Sequence, residues 1–301
     1  MRLKKRYLAA IIVFIIIVVA ALASVIYSSV QAERIAYIAV HADKDVFTSD
    51  ENVTFQLVPL TEGVQFTVEG GDGMNGYGVH VIRIPDSVDP KEVVTNVSLL
   101  NDIYSWDRGH VILPVDSFNS TGEPLRMSWD GTLDYYEYYT EYETYAEDEA
   151  WANARAKATS GYYILCPYLQ WSYGHITKFM LDEGAIFYYD SLNVNITTDR
   201  SKDSFSMSMN ISLGKDMPEG EYKLFSRLQP MSYEDGQSGT RFNQNFTLMK
   251  GGSVHIDLGP IKADEYSSAT YDAVIRGPNG ELYAFGFNKG VYEGWYYDYR
   301  Y

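Results

Sequence analysis

Hydrophobic and polar residues alternate along much of the chain that follows residue 36. Alternation with a period of two indicates β-strands that bury one face and expose the other. Turn clusters such as "GGDGMNG" and "GPNGE" separate the alternating segments. Many short strands at this spacing are typical of β-sandwiches and not of folds in which strands alternate with helices. The clearest alternating segments are residues 52–60, 63–70, 77–84, 204–213 and 252–259.

The N-terminal pattern is different, because residues 8–26 contain no charged side chain. A helix of that length spans about 28 Å, close to the hydrocarbon thickness of a bilayer. The basic residues before it favour a cytoplasmic N-terminus; they are Arg2, Lys4, Lys5 and Arg6. We therefore expect a cytoplasmic tip, a transmembrane signal anchor, a short stalk and an extracellular remainder, with bounds of 1–6, 7–28, 29–36 and 37–301.

Two alternatives to a retained anchor stay open. The tripeptides Ala21-Leu22-Ala23 and Val30-Gln31-Ala32 resemble the small-residue cleavage sites of secretory signals, although the apolar run is longer than a usual signal core. A pilin-like helix that assembles into a filament core is the second alternative, although Arg6-Tyr7 stands where such proteins usually carry a small residue. The cleaved signal, like the retained anchor, places most of the chain outside the cytoplasm.

A local motif at residues 43–55, "DKDVFTSDENVTF", sharpens the fold class. It resembles the opening strand pair of immunoglobulin-like and macroglobulin-like surface domains, with Asp50 at a position where Gly is common. The resemblance implies a β-sandwich and carries almost no information on activity. The matching residues are Asp43, Lys44, Val46, Phe47, Glu51, Val53 and Phe55.

The pattern Gly-x-Tyr-x-Leu occurs twice, at residues 161–165 and 220–224. It resembles the tyrosine corner of immunoglobulin-like sandwiches, in which a buried tyrosine bonds through its hydroxyl to nearby backbone. This resemblance gives Tyr163 and Tyr222 a structural role. Two corners predict two tandem immunoglobulin-like β-sandwiches, at residues 37–186 and 187–301, and a fold that is mainly β.

A tyrosine-rich and acid-rich segment interrupts the strand pattern, with six tyrosines and six carboxylates in residues 135–158. Asp134 and Glu137 fit a capping box, which predicts a helical insertion at 134–158 in the first sandwich. At about 100° per residue, five tyrosines fall on one stripe. We expect this stripe to pack on the first sandwich, with a recognition ridge for a partner or glycan as the alternative. The stripe contains Tyr135, Tyr138, Tyr139, Tyr142 and Tyr145.

The chain has a formal net charge of −16, from 24 basic and 40 acidic residues. Four of the basic residues precede the apolar run, so 20 oppose 40 in the remainder. Such a surface repels nucleic acid and anionic headgroups, and we expect no nucleic-acid partner. Cys166 is the only cysteine, so no intramolecular disulfide forms and core burial has to supply the stability.

No motif predicts a catalytic, cofactor-binding or metal site. Residues 71–76 satisfy G-x-G-x-x-G, but an alternating strand follows them where a dinucleotide site needs a helix, which predicts a hairpin loop. The histidines lack metal-site spacing, G-x-S-x-G is absent, and Cys166 fits a small buried hydrophobe. We therefore expect a protein that is not an enzyme and has no cofactor, with a hydrolase as a less favoured alternative.

Six Asn-x-Ser/Thr sequons are candidates for glycosylation of an exported surface. Strand alternation in a chain rich in Ser, Thr and Asn is the competing explanation, since the middle residue of most of the sequons is hydrophobic. Sequons without disulfides also resemble the composition of archaeal cell-surface proteins. The candidate acceptors are Asn52, Asn96, Asn119, Asn195, Asn210 and Asn245.

These patterns favour a single-pass membrane-anchored cell-surface protein with a structural or adhesive tandem β-sandwich ectodomain. A carbohydrate-binding or peptide-binding module that uses exposed tyrosines is the alternative. The expected partners are the membrane, through the N-terminal helix, and glycans or other surface proteins.

Overall fold

The computed structural model describes most of the chain beyond the N-terminal region, in which only a four-residue segment is described. The described residues are 17–20, 35–60, 67–69, 78–96, 99–100, 111–113, 118–119, 123–133, 156–168, 170–171, 176–200, 204–230, 240–262, 268–292 and 295–300. Within these ranges the chain is mainly β, as predicted.

Helices are short in the described part of the chain. They include α1 (Pro90–Thr95), a 3₁₀ helix (Glu183–Ala185) and the helical residues 17–20. None of the helices in the described ranges has the length and the apolar character that crossing a membrane requires. Apart from residues 17–20, the predicted anchor at 7–28 lies outside those ranges.

The strands follow one another closely and cover the alternating segments. In chain order they are β1 (Ile35–Ala42), β2 (Val46–Thr48), β3 (Val53–Pro59), β4 (Thr67–Glu69), β5 (Gly78–Arg83), β6 (Val111–Leu113), β7 (Phe118–Asn119), β8 (Leu125–Trp129), β9 (Thr132–Leu133), β10 (Ala156–Ala158), β11 (Gly161–Tyr168), β12 (Gln170–Trp171), β13 (Ile176–Met180), β14 (Ile186–Asp190), β15 (Asn193–Arg200), β16 (Ser204–Ser212), β17 (Gly220–Pro230), β18 (Thr240–Leu248), β19 (Ser253–Lys262), β20 (Ser268–Arg276), β21 (Leu282–Tyr292) and β22 (Trp295–Arg300).

Two sheets enclose the first hydrophobic core. One has the order β13–β1–β3–β8 and the other the order β2–β14–β11–β5–β6. In β3 the side chains of Val53, Phe55 and Leu57 are buried while Thr54 is exposed, as the alternation predicts. The core also contains Trp129 of β8. A small separate sheet has the order β12–β4–β7.

The opening motif explains the turn between β2 and β3. Lys44 Nζ donates to both carboxylate oxygens of Glu51 at 2.6 Å, and Glu51 Oε1 accepts from the Thr48 amide at 2.8 Å. The Lys44 ammonium holds the pKa of Glu51 below its ordinary value, although burial opposes this. Lys44 Nζ also lies 4.9 Å from the ring centroid of the buried Phe47. The motif residues therefore close the turn with charge and fill the core beneath it.

A second core lies between the sheet β15–β16–β19 and the strands β18–β17–β20–β21. Alternate residues of β16, among them Met207, Met209 and Ile211, are buried against residues of β17 and β20 such as Leu224 and Tyr271. The members of the first core end at Tyr189 and those of the second begin at Leu192. The division into two units at 186 and 187 stays a prediction.

The sheet of the second core also contains two strands from much earlier in the chain. Its order is β18–β17–β20–β21–β10–β9, and β22 pairs with β21. Strand β10 is parallel to β21, with Lys157 opposite Tyr283, and antiparallel to β9, with Ala156 opposite Leu133. The two cores are therefore joined by a shared sheet, which the prediction of two sandwiches in series did not include.

The predicted end of the helical insertion at 134–158 is wrong, because residues 156–158 form strand β10. Lys157 is basic and Gly161 follows it closely, a local pattern that favours the end of a helix. Strand pairing on both sides of β10 outweighs that local preference, since each pairing adds backbone hydrogen bonds between distant segments. Residues 134–155 lie outside the described ranges.

Candidate functional site

Tyr163 and Tyr222 have the geometry of tyrosine corners. Both side chains are buried, and each hydroxyl donates to the carbonyl oxygen four residues earlier. Tyr163 Oη lies 2.8 Å from the Thr159 oxygen, and Tyr222 Oη lies 2.6 Å from the Pro218 oxygen. Burial raises the pKa of Tyr222 to about 12, with a smaller contribution from the Glu281 carboxylate. One corner therefore belongs to each core.

Ser160 connects the two cores beside the first corner. Its amide donates to the Leu192 carbonyl at 3.0 Å, and its hydroxyl oxygen accepts from the Ser191 amide at 2.7 Å. Both serines are buried. A Cβ on Gly214 would come 2.2 Å from the Ser191 oxygen, so only glycine allows this backbone approach. We call Ser160, Ser191, Leu192 and Gly214 the junction.

Arg83 is a buried cation next to the junction. Its Nη2 donates to Asp86 Oδ1 at 2.9 Å and to the Ser160 carbonyl at 3.1 Å. Its Nε has no hydrogen-bond partner in the described part of the structure. A Cβ on Gly161 would lie 2.9 Å from that Nε, so the guanidinium lies directly against the glycine backbone. The glycine of the first corner motif therefore also makes room for Arg83.

An exposed aromatic pair lies on the same strands. Tyr162 of β11 and Tyr188 of β14 are opposite each other, and their ring centroids are 5.2 Å apart at an interplanar angle of 72°. The Tyr162 side chain is 47% exposed, whereas Tyr188 is half-buried. Burial, followed by the Asp190 carboxylate, raises the pKa of Tyr188. A neutral aromatic edge of this kind suits contact with a sugar ring or an apolar partner surface.

The stripe tyrosines Tyr135, Tyr138, Tyr139, Tyr142 and Tyr145 lie outside the described residues. The positions that flank their segment are described. Leu133 and Ala156 are a cross-strand pair of β9 and β10, and both side chains are buried. The segment 134–155 therefore begins and ends at one point of the shared sheet.

Five of the six sequon asparagines have exposed side chains, and the sixth, Asn119, has a side chain outside the described set. In four sequons the middle residue is buried while the asparagine is exposed. These four are Asn52-Val53-Thr54, Asn195-Ile196-Thr197, Asn210-Ile211-Ser212 and Asn245-Phe246-Thr247. Asn96 is the C-terminal cap of α1, and its Oδ1 accepts from the Leu99 amide at 3.2 Å.

The remaining reactive residue types are dispersed over the part of the chain that the structure describes. Cys166 packs against the first core, and burial raises the pKa of its thiol to about 11. His41 Nε2 lies 3.1 Å from Asp182 Oδ2, His80 is buried in β5, and His255 Nδ1 lies 3.0 Å from Asn210 Oδ1. Among the described residues, no three His, Cys, Asp or Glu side chains form a group that could hold a metal ion.

Sequence reasoning missed the junction, Arg83 and the aromatic pair. The "YY" doublets at 162–163 and 188–189 carried a usable signal, because neighbouring residues of a strand point to opposite faces. One tyrosine of each doublet is buried and the other contributes to the exposed pair. Ser160 carried no such signal, since its partners Ser191 and Leu192 are distant in sequence. Arg83 lies three residues from its partner Asp86, but this spacing does not indicate that the arginine is buried.

No family model matches the chain, and a search of curated proteins found no match. Solved structures with some similarity include a β-glucosidase from Kluyveromyces marxianus, with 11% identity and a TM-score of 0.22. The match covers 37% of this chain and 15% of the β-glucosidase chain. A trypsin-activated alpha-2-macroglobulin from Escherichia coli has 9% identity and a TM-score of 0.27, over 88% of this chain and 15% of that one. A DUF3823 family protein from Bacteroides ovatus has 8% identity and a TM-score of 0.24, over 88% and 97% of the two chains. At these TM-scores the similarities identify neither a family nor an activity.

Proposed function

We propose that the chain is a non-catalytic, single-pass membrane-anchored cell-surface protein with a structural or adhesive β-sandwich ectodomain. The observation that carries the proposal is the shared sheet, in which β10 pairs with β21 of the second core. The junction adds buried hydrogen bonds from Ser160 to Ser191 and Leu192. Units joined in this way resist hinge motion more than units on a free linker. A spacer that holds a contact surface away from a membrane needs this property.

The sequence supports the location. The uncharged run 8–26 follows four basic residues, which favours an anchor with a cytoplasmic N-terminus and an extracellular remainder. Acidic residues in the remainder favour solubility at a cell surface. The exposed sequon asparagines suit a glycoprotein.

Membrane partition and protease shaving of intact cells test the anchor. We expect the full chain in the membrane fraction and its C-terminal part to be removed by external protease. Ile16→Lys with Val19→Lys should abolish partition, because each charge at a helix centre costs about 2.5–3.5 kcal/mol on insertion. Ile16→Leu with Val19→Leu is the matched control and should partition as the original does. Intact chain in the cytosolic fraction would overturn the topology.

Binding of a glycan or a peptide is the second candidate function, and the exposed pair Tyr162 and Tyr188 favours it. Aromatic rings at a surface supply contact area for sugar rings and partner surfaces. Glycan arrays and cell-surface pull-downs with residues 33–301 test it. Tyr162→Ala should abolish binding and leave the melting temperature unchanged, while Tyr162→Phe should retain binding. Equal binding by all three proteins would exclude this pair as the contact.

The tyrosine stripe is a separate proposed contact, which the triple replacement of Tyr138, Tyr142 and Tyr145 by Ala tests. A loss of several kcal/mol in unfolding free energy would assign the stripe to the protein's own core. Unchanged stability with lost surface binding would assign it to recognition.

A further inference from the structure

Asn195 and Asn210 occupy directly opposite positions on the neighbouring antiparallel strands β15 and β16. Both side chains are exposed, and the following residues, Ile196 and Ile211, are buried in the second core. Both amides therefore project from the outer face of the sheet β15–β16–β19. Opposed side chains of this kind have Cβ atoms about 4.5–5.5 Å apart. A sugar on one amide would stand over the other amide.

We infer that the two asparagines form a single glycan acceptor, which is occupied at Asn195 and blocked at Asn210. The inference rests on the proposed function, since glycosylation requires an exported chain. The donor class is a lipid-linked glycosyl phosphate. A bond forms between asparagine Nδ2 and the anomeric carbon, the bond from that carbon to the phosphate oxygen breaks, and the phosphate leaves with the electron pair. The amide nitrogen loses one proton, which balances the charge of the released phosphate in the net reaction.

The positions of the two strands in the sheet make the Asn195 sequon more accessible to a glycosylating enzyme than the Asn210 sequon. Among the strands that the structure describes, β15 is at the edge of its sheet and pairs with β16 alone, whereas β16 pairs with both β15 and β19. The backbone of the Asn195 sequon therefore keeps one open side, while the Asn210 sequon is enclosed on both sides. Asn195 also leaves the ribosome first, so the order of synthesis gives the same preference.

The side-chain environment of Asn210 also disfavours its glycosylation. Its Oδ1 lies 3.0 Å from His255 Nδ1 on β19, a hydrogen bond that fixes the amide against the sheet. His255 is also its cross-strand partner. An enzyme that modifies Asn210 has to displace both this contact and any sugar already present on Asn195.

Asn245 is the internal reference for this inference. It lies on β18, an edge strand, and its cross-strand partner is Lys223 and not a second sequon. Its Nδ2 donates to Glu221 Oε1 at 3.0 Å, so Asn245, like Asn210, has a side-chain contact that the enzyme must displace. No neighbouring sequon can carry a sugar over it, so Asn245 should be modified independently of the pair.

The test uses the full chain, made in a secretory host that glycosylates Asn-x-Ser/Thr. Glycopeptide mass spectrometry separates the two sites, because Arg200 and Lys202 provide tryptic cleavage between them. In a variant with Asn52, Asn96, Asn119 and Asn245 replaced by Gln, the only sequons that remain are those of Asn195 and Asn210. The intact mass of this variant gives the number of glycans per molecule. We expect one glycan, on Asn195.

Removing the first sequon should move the glycan to the second asparagine. In that variant, Asn195→Gln and, separately, Thr197→Ala should each raise occupancy of Asn210 at least tenfold. Ser212→Ala is the matched control and should leave Asn195 occupied. Two glycans on one molecule, an occupied Asn210 beside an intact Asn195 sequon, or an empty Asn210 in both first-sequon variants would each overturn the inference.

Two further outcomes distinguish this inference from the proposed function. A glycan on Asn245 of the original chain with neither Asn195 nor Asn210 modified would overturn the pair and keep the exported glycoprotein. The absence of glycan at every sequon would overturn both the inference about the pair and the proposal that the protein is glycosylated. Membrane partition would still test the proposed anchor.

Discussion

The Ser191 amide donates a 2.7 Å hydrogen bond to the hydroxyl oxygen of Ser160, and both residues are buried where the two cores meet. Neither serine belongs to a strand. In the chain, Ser191 lies between Tyr189, the last residue of the first core, and Leu192, the first residue of the second. The bond therefore ties the connection between the cores to the segment that precedes β11.

Ser160→Ala should destabilise the protein, because it leaves the buried Ser191 amide without its acceptor. A buried donor without a partner costs about 1–3 kcal/mol. Denaturant unfolding followed by circular dichroism measures the change. The matched control is Ser253→Ala on the exposed face of β19, which should change the unfolding free energy by less than about 0.5 kcal/mol. Equal effects of the two substitutions would contradict the role of Ser160.

Tyr163 and Tyr189 should respond differently to loss of the hydroxyl, although both are buried in the first core. Tyr163→Phe removes the bond to the Thr159 oxygen and should cost about 0.5–1.5 kcal/mol. The Tyr189 hydroxyl has no hydrogen-bond partner within the described ranges, so Tyr189→Phe should be neutral or stabilising. Melting temperatures of both variants test this, and a larger loss for Tyr189→Phe would refute it.

Alkaline pH should destabilise the second core through Tyr222. Its pKa is about 12 in the folded chain and 10.0 ordinarily, so the unfolded state releases the proton first. The stabilisation is complete below pH 10 and is lost as the pH rises from 10 to 12, by about 1.4 kcal/mol per unit. Unfolding free energies measured across this range should fall less steeply for Tyr222→Phe than for the original chain. Identical slopes would show that Tyr222 does not contribute.

Residues 134–155 should be replaceable by an Asn-Gly turn. Leu133 and Ala156 are already a cross-strand pair, and a two-residue type I′ turn closes such a hairpin. We expect the shortened chain to keep the strand content of the original and to unfold cooperatively, with a lower unfolding free energy where the tyrosine stripe packs on the first sandwich. A Gly-Gly turn of the same length is the control for turn chemistry. Failure of both shortened chains to fold would show that the fold itself requires the segment.

The sequence predicted strands best where one face of a sheet is exposed. Alternation located β3, β16 and β19 within a few residues, since the solvent and the core select different side chains at successive positions. Strand β5 was also located, although all of its residues are buried. The corner motifs located Tyr163 and Tyr222 because the whole interaction fits within five residues. The acceptor carbonyls belong to Thr159 and Pro218, each two residues before the glycine of the motif.

The shared sheet could not be predicted in this way. Strand β10 has the sequence Ala-Lys-Ala, without β-branched or aromatic residues, and its parallel partner β21 is far along the chain. Parallel pairing leaves no turn signature between the partners. The basic residues of the same segment favoured a helix end, so local preference and the final structure disagree at Lys157.

Strand β10 is synthesised long before β21, its neighbour in the shared sheet. Until that neighbour leaves the ribosome, the hydrogen-bonding edge of Ala156–Ala158 is open, and an open strand edge can pair with other chains. Translation that stops before Leu282 would leave this edge permanently open. Truncated products are therefore expected to aggregate, and completion of the second core protects the first during biogenesis.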